Sequence, residues 1–341
     1  MSISNPLLAV RDLRVSVGAV TAVRGVSFDV HAGRVTALVG ESGAGKSLTA
    51  RAVLGLVPRG ARVAGSVRLD GEEIAGAGTD VYGRLWGRRL AYVPQDALAV
   101  LSPVHTVGAQ VAAAVRSVAR VPRAEARRRA VAALDRVGIA DAARRARCLP
   151  HEFSGGMRQR AVIAMALVNS PDLIVADEPT TALDPRLREE ILHALTTTPR
   201  EGDDKSPALL LITHDLPLAA AHADHTVVLY AGKAVESGPT SQVLTRPKSP
   251  YTAGLLASLP RATEPRRAAR GPLPVVAGSP PSALALPAGC AFADRCPAAV
   301  DGCRVAEPAL VDGGGGHAVA CHRSQELPAP LTGLFTEEAA A

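Results

Sequence analysis

Residues Gly40–Ser47 read GESGAGKS and fit the pattern G-x-x-x-x-G-K-[ST]. A loop of this kind wraps phosphate groups, and it constrains its surroundings. It needs a buried strand before it and a helix after it. Val35-Thr36-Ala37-Leu38-Val39 is a short apolar, β-branched run, as a buried parallel strand requires. Leu48–Leu56 can form the helix. Gly40, Gly43 and Gly45 permit a tight turn whose N–H groups point inward at phosphate oxygens, with Glu41, Ser42 and Ala44 between them. The helix N-terminus adds partial positive charge. Lys46 is then placed to reach the β/γ-phosphates, and the Ser47 hydroxyl to ligate Mg²⁺.

The 341 residues suffice for one large domain with an extension, or for two domains, and 47% hydrophobic content supports a well-buried core. No run of 18 apolar residues occurs, so no membrane span is expected. MSISNPLLAVRD lacks a basic stretch followed by an apolar one, so no secretory leader is expected and a cytoplasmic protein follows. Aromatic residues make up only 3%, which argues against base-stacking surfaces for single-stranded nucleic acid. The net charge of +6 is concentrated: between Arg116 and Arg147 ten Arg face Glu125, Asp135 and Asp141, a net +7. Such a stripe serves nucleic acid, an anionic membrane or simply a solvated helix face, and the last is the commonest.

Taken in order, Leu8–Val17 and Thr21–Val30 form an expected antiparallel hairpin about Gly18, with Val26, Phe28 and Val30 alternating with Ser27 and Asp29. Gly65–Leu69 and Leu90–Val93 are further short strands. Thr106–Val118, Arg123–Val137 and Ile139–Cys148 are helical in character, with Pro122 before the second and Gly138 after it. Ser154 is a candidate N-cap for the helix through Val168. Leu173–Ala176 and Leu209–Thr213 are buried strands, ending in Asp177-Glu178 and His214-Asp215. Pro185–Leu195 lies between them as a helix, and Thr226–Tyr230 with Lys233–Glu236 makes a late hairpin about Gly232. Strands alternating with helices imply an α/β fold with a mainly parallel sheet and helices on both faces. From Arg261 the chain turns basic and polar, then Pro-rich over Pro272–Pro287, like a linker or an extended wrap.

The order of the later motifs resembles an ABC-type ATPase subunit over about residues 6–260. GESGAGKS is similar to its Walker A, Gln95 in VPQD to its Q-loop glutamine, and FSGGMRQR to its signature sequence. LIVADEP is similar to its Walker B with the catalytic glutamate, Thr181–Asp184 to its D-loop, and His214 in LLITHD to its switch histidine. The resemblance implies a P-loop ATPase fold: a mainly parallel core, an antiparallel β subdomain, and a helical subdomain at about 97–168. It implies ATP and Mg²⁺, with Asp177, Ser47 and Gln95 around the metal. Glu178 becomes the general base for the attacking water, and His214 the group that senses the γ-phosphate. Ser154, Gly155 and Gly156 sit at a helix N-terminus, a natural anion site. In the resembled family that anion is the γ-phosphate held by a second subunit, and Asp184 of the D-loop is counted with the nucleotide-binding residues. The working unit is then a head-to-tail dimer. One departure is that the family carries an aromatic residue on adenine near the end of the first strand, whereas the slot here is about Val17 and no aromatic residue precedes Phe28.

HEFSGGMRQR, SPYTAGLLASLP and the tail GCAFADRCP…ACH resemble ATPase subunits of oligopeptide, dipeptide and nickel importers. Ser249 replaces a histidine common before the Pro-Tyr pair, and Ala97–Pro103 drifts from the usual pattern. The resemblance implies two integral-membrane permeases, a second ATPase subunit, an extracytoplasmic solute-binding protein, and a place on the cytoplasmic face of the membrane. No nucleic-acid partner is expected. The alternatives are a soluble ABC ATPase acting on nucleic acid or ribosomes, and a metal- or redox-sensing ATPase.

The expected extension covers 261–326, with a disordered end from 327. In it Cys290, Cys296, Cys303 and Cys321 follow C-x5-C-x6-C-x17-C. Clustered thiols in a cytosolic chain suggest metal before disulfide. Zinc sites usually contain closer C-x2–4-C pairs. The wider gaps and the Cys296-Pro297 step suit a [4Fe–4S] cluster, which some resembling importers carry there, with a structural role. Zinc, four reduced thiols, and His317 or His322 as substitute ligands remain open. Cys148 is read as a packed thiol.

Overall fold

The computed structural model describes residues 5–97, 99–180, 185–197, 206–259, 275–327 and 329–335. Strand β1 (Leu8–Val17) turns at Gly18 into β2 (Val20–Val30), and Leu8 pairs with Val30 while Val17 pairs with Val20. After β3 (Val35–Val39) and helix α1 (Lys46–Val53) come β4 (Arg62–Leu69), β5 (Glu72–Glu73), α2 (Thr79–Leu85) and β6 (Leu90–Val93). A helical block follows: α3 (Val107–Val118), α4 (Arg123–Arg136), α5 (Ala142–Arg145) and α6 (Gly155–Leu167). The chain then alternates through β7 (Leu173–Asp177), α7 (Pro185–Thr197), β8 (Ala208–Thr213), α8 (Leu216–His222), β9 (His225–Tyr230) and β10 (Lys233–Pro239). It closes with α9 (Thr240–Val243), α10 (Pro250–Ala257), α11 (Gly302–Val305), β11 (Val311–Asp312) and β12 (Ala318–Val319).

Among the described residues the strands form two sheets. One is antiparallel, ordered β2-β1-β4-β5; the other has eight strands, ordered β11-β12-β10-β9-β3-β8-β7-β6. Strands β9, β3, β8, β7 and β6 run parallel. Every residue of β3, β7 and β8 is buried, which explains their near-continuous apolar sequence. Alternation still divides the faces. Leu209 and Leu211 face a core shared with Val111, Leu134, Ile163 and Leu192 of the helices. Leu210 and Ile212 face the antiparallel sheet and α1, through Val10, Val26 and Val53. The expected α/β architecture with its antiparallel and helical parts is therefore present.

The helix ends follow local chemistry. The Ser154 hydroxyl accepts the Met157 N–H at the start of α6, as expected of an N-cap. Gly138, at φ 77°, ends the turn after α4, where a side chain would be strained. In the arginine stripe, Arg128 and Arg129 pair with Glu125 and Arg144 with Asp141, pairs near the surface that contribute little. Cys148 is half-buried against the helical core.

The extension packs on the main sheet. Strand β12 pairs with β10 and carries the main sheet outward. Phe292 is buried against Tyr230 and Tyr251, with ring centroids 5.4 and 5.3 Å away. Leu331–Phe335 forms a 3-10 turn inside the stretch expected to be disordered, with Leu331 buried and the Phe335 ring against Gly254 of α10. Two apolar side chains give that short piece a surface to cover. No helix among the described residues is long and apolar enough to cross a membrane.

Candidate functional site

The phosphate loop lies between β3 and α1, as its sequence demands. Gly40, Gly43 and Gly45 take φ of 146°, 82° and 96°. A Cβ at Gly40 would stand 2.2 Å from the Leu229 carbonyl oxygen, so the first glycine is required by space as well as by torsion. Lys46 is 6% exposed, and its Nζ donates to the carbonyls of Gly40 at 2.7 Å and Glu41 at 2.9 Å. Burial lowers its pKa, against the opposing pull of Glu178, Asp177 and Glu41. The ammonium thus spans the loop that its own backbone forms.

Parallel register brings the other groups to the same edge. Val39 pairs with Thr213, Ile212 with Asp177, and Val93 with Ala176. The residues just beyond these strands, Gly40, His214, Glu178 and Gln95, therefore meet at the carboxyl ends of the sheet, where open α/β sheets bind ligands. Ser47 Oγ donates to Asp177 Oδ1 at 2.9 Å. A hydroxyl and a carboxylate so close are hard oxygen donors suited to Mg²⁺. Tyr92, which sequence reasoning did not single out, directs its hydroxyl at Asp177 Oδ2 from 3.4 Å.

Glu178 is the junction of the site. Its Oε2 accepts from Gln95 Nε2 at 3.1 Å, and its Oε1 lies 3.1 Å from His214 Nδ1. Its side chain is 17% exposed, against 59% for His214. Glu178 also adopts φ 47°, a left-handed conformation that costs a non-glycine residue of order 1–3 kcal/mol. Such strain persists where the surroundings fix it, and here the Glu178 N–H is held by the Ile212 carbonyl at 2.9 Å. Gln95 thus reaches the site through Glu178, the neighbour of the Asp177 that accepts from Ser47.

Ser154, Gly155 and Gly156 open α6 in the helical block, and a Cβ at Gly155 would meet nothing within 4 Å. Among the described residues no hydrogen bond or ion pair joins them to the phosphate loop of their own chain. Asp184 lies outside the described residues, as does the rest of Thr181–Asp184. Val17, at the slot expected to meet adenine, is 39% exposed.

The four tail cysteines carry no disulfide and line one cavity of about 50 Å³ with Phe292 and Tyr251. Burial raises the pKa of Cys290, Cys296 and Cys321, that of Cys296 to about 11. Among the described residues no group of three or more His, Cys, Asp or Glu side chains is arranged to hold a metal ion. Neither the iron–sulfur reading nor the zinc alternative gains support from this arrangement. The substitute ligands are engaged elsewhere: His317 Nε2 lies 2.7 Å from the buried Glu236, and His322 Nε2 2.8 Å from the Ala306 carbonyl.

Comparison with known proteins places these features. A family model described as ABC transporter matches residues 23–181, and one described as oligopeptide/dipeptide transporter, C-terminal region, matches residues 235–303. The chain is 46% identical over 326 residues to the oligopeptide transport ATP-binding protein OppD of Mycobacterium tuberculosis, covering 94% of this chain and 52% of that one. It thus spans about half the length of that mycobacterial relative. It is 42% identical to a probable peptide ABC transporter ATP-binding protein of Sinorhizobium fredii, over 95% of this chain and 98% of the other. Against OppD of Escherichia coli it is 40% identical, over 89% and 90%. Among solved structures, a dimeric ATP-binding cassette in a post-hydrolysis state with ADP and Pi superposes with a TM-score of 0.60 at 25% identity, over 68% of this chain and 98% of that one.

Proposed function

The chain belongs to the ABC transporter family, among ATP-binding proteins of the oligopeptide transport type, and from that premise we propose that it binds and hydrolyses Mg·ATP to drive peptide import. The observation that carries this reading is the convergence on Glu178. Three strand ends deliver Gln95, Glu178 and His214 to one hydrogen-bonded group beside the phosphate loop.

The roles follow from position. The loop N–H groups and Lys46 hold the β- and γ-phosphates. Ser47 and Asp177 would hold Mg²⁺, which neutralises developing charge on the transferred phosphoryl group. Glu178 accepts the proton of the attacking water, and a carboxylate fixed from two sides is ready for that task. Gln95 and His214 keep it aimed. Ser154, Gly155 and Gly156 meet the γ-phosphate bound by a second subunit, since they stand apart from their own loop. Asp184 is assigned to nucleotide binding from its sequence motif alone. The catalytic unit is then two ATPase subunits docked on two membrane permeases at the cytoplasmic face, fed by a solute-binding protein. The relatives' names concern peptide transport, so an ATPase acting on nucleic acid or ribosomes is not favoured.

The test is ATP binding and turnover by the full chain beside Lys46→Ala. We expect Mg²⁺-dependent hydrolysis from the native chain and much weaker ATP binding in the variant, which loses a charge-assisted contact to phosphate. Absence of ATP binding by the native chain would overturn the reading.

A second reading concerns the tail. Cys290, Cys296, Cys303 and Cys321 line one cavity, and a polynuclear iron–sulfur cluster spaces its thiolates more widely than a single ion does. Those four residues would hold a [4Fe–4S] group, whose contribution would be to tie together a segment with little core of its own. Anaerobic purification with iron, sulfide and zinc analysis tests it. Stoichiometric iron and sulfide are expected; a metal-free, folded protein would refute it.

A further inference from the structure

The phosphate loop is built to bind polyanions, yet its second residue is a carboxylate. Glu41 does not face solvent alone. Arg295, 254 residues later in the extension, grips both its oxygens: Nη1 donates to Oε2 at 2.8 Å and Nη2 to Oε1 at 2.9 Å. The Arg295 side chain is only 6% exposed and that of Glu41 is 25% exposed. Every remaining direction of the guanidinium is also tied, by Nε to the Ala277 carbonyl at 2.9 Å and by Nη1 to the Tyr230 hydroxyl at 3.2 Å. The Glu41 N–H is held in turn by the Tyr251 hydroxyl at 2.9 Å. Tyr230, Tyr251 and Phe292 pack together beneath this contact, so the arginine is set on a rigid aromatic floor.

Two physical consequences follow. A planar fork on a carboxylate is the strongest kind of side-chain ion pair, and it cancels a charge that would otherwise repel phosphate. It also restrains a loop with three glycines, whose ordering would otherwise be required at the moment of binding, at an entropic cost. A second contact points the same way: Pro280, Pro281 and Leu286 of the extension enclose, with Glu41–Ala44, a cavity of about 220 Å³ beside the loop.

We propose that Arg295 is a positioning residue for the ATP site: through its fork on Glu41 the C-terminal extension holds the phosphate loop in its binding shape, so that nucleotide affinity depends on that extension. This rests on the ATP reading above and deepens it. The arrangement makes the extension a control point, since whatever loosens it loosens the loop.

The test uses the full chain and equilibrium ATP binding, with Lys46→Ala as reference and melting temperatures measured in parallel. Arg295→Gln is expected to bind ATP about tenfold more weakly, the effect of losing one charge-assisted contact, with kcat at saturating ATP little changed. Arg295→Lys keeps the charge but not the fork and should fall between. Adding Glu41→Gln to Arg295→Gln should restore part of the affinity, because the unneutralised carboxylate is removed. A merely structural arginine would lower the melting temperature and leave ATP affinity alone in Arg295→Lys and in the double variant. Native affinity in both, well below their melting points, would overturn the proposal while the ATP reading stood. A native chain that binds no ATP would overturn both.

Discussion

Glu178 carries the greatest burden of any single residue. It follows the Asp177 that reaches Ser47, it is held in a left-handed backbone, and it joins Gln95 to His214. Glu178→Gln keeps size and hydrogen-bonding capacity but removes the carboxylate proposed as the base. Steady-state turnover should fall by about 10²–10⁴, with ATP affinity retained. Near-native turnover in that variant would remove Glu178 as the base. At this scale most of the site was legible in the sequence, because each functional residue adjoins a short apolar run or a glycine-rich turn. Arg295 was not. Its partner lies 254 residues away, and nothing local to ADRCP distinguishes a clamp from a surface arginine. Tyr92 was missed for a similar reason: as a member of β6 it reads as one more apolar strand residue.

Elements were legible where burial is complete or alternation is clean. Strands β3, β7 and β8 are buried throughout, and the sequence reads as nearly continuous apolar runs. Two-residue strands give no such period, so β11 and β12 could not be foreseen. Helix α2 was also unread; it is fixed by tertiary contact, with the Tyr82 hydroxyl on the Ile74 carbonyl and the Trp86 indole N–H on the Leu54 carbonyl. Strand β9 begins at His225, whose Nε2 lies 3.0 Å from Ser237 Oγ of β10. Burial lowers its pKa, with Asp29 opposing and His31 adding to the shift. A histidine that is neutral when folded binds its proton more readily when unfolded. Its stabilising effect is therefore complete above its ordinary value, near 6.5, and is lost as pH falls below it. His225→Gln should flatten the fall in melting temperature between roughly pH 6.5 and 5. An unchanged slope would show that other groups govern the acid limb. In the extension, a Cβ at Gly289 would stand 2.4 Å from the Cys303 carbonyl oxygen. Gly289→Ala should cost roughly 1–3 kcal/mol and expose the tail to limited proteolysis, whereas native resistance would contradict this packing.

For the whole molecule, the sequence indicated an ATPase domain with an extension that wraps or links, and β12 of that extension pairs with β10 of the main sheet. Strand β12 extends it, Phe292 completes an aromatic cluster under the phosphate loop, and Glu307 bridges Arg24 of β2 and Lys233 of β10. The Pro-rich stretch gave no period from which such docking could be read. What one chain lacks is as informative: among the described residues no hydrogen bond or ion pair joins its own Ser154–Gly156 to its phosphate loop. On the proposed reading, a complete site needs a second copy or a homologous subunit across the interface. The most direct measurement is the mass in solution of Glu178→Gln, by light scattering, with and without ATP. Slow hydrolysis in this variant should trap ATP between two chains, so the account predicts a monomer without nucleotide and a doubling of mass with it. A monomer at saturating, demonstrably bound ATP would contradict the composite site.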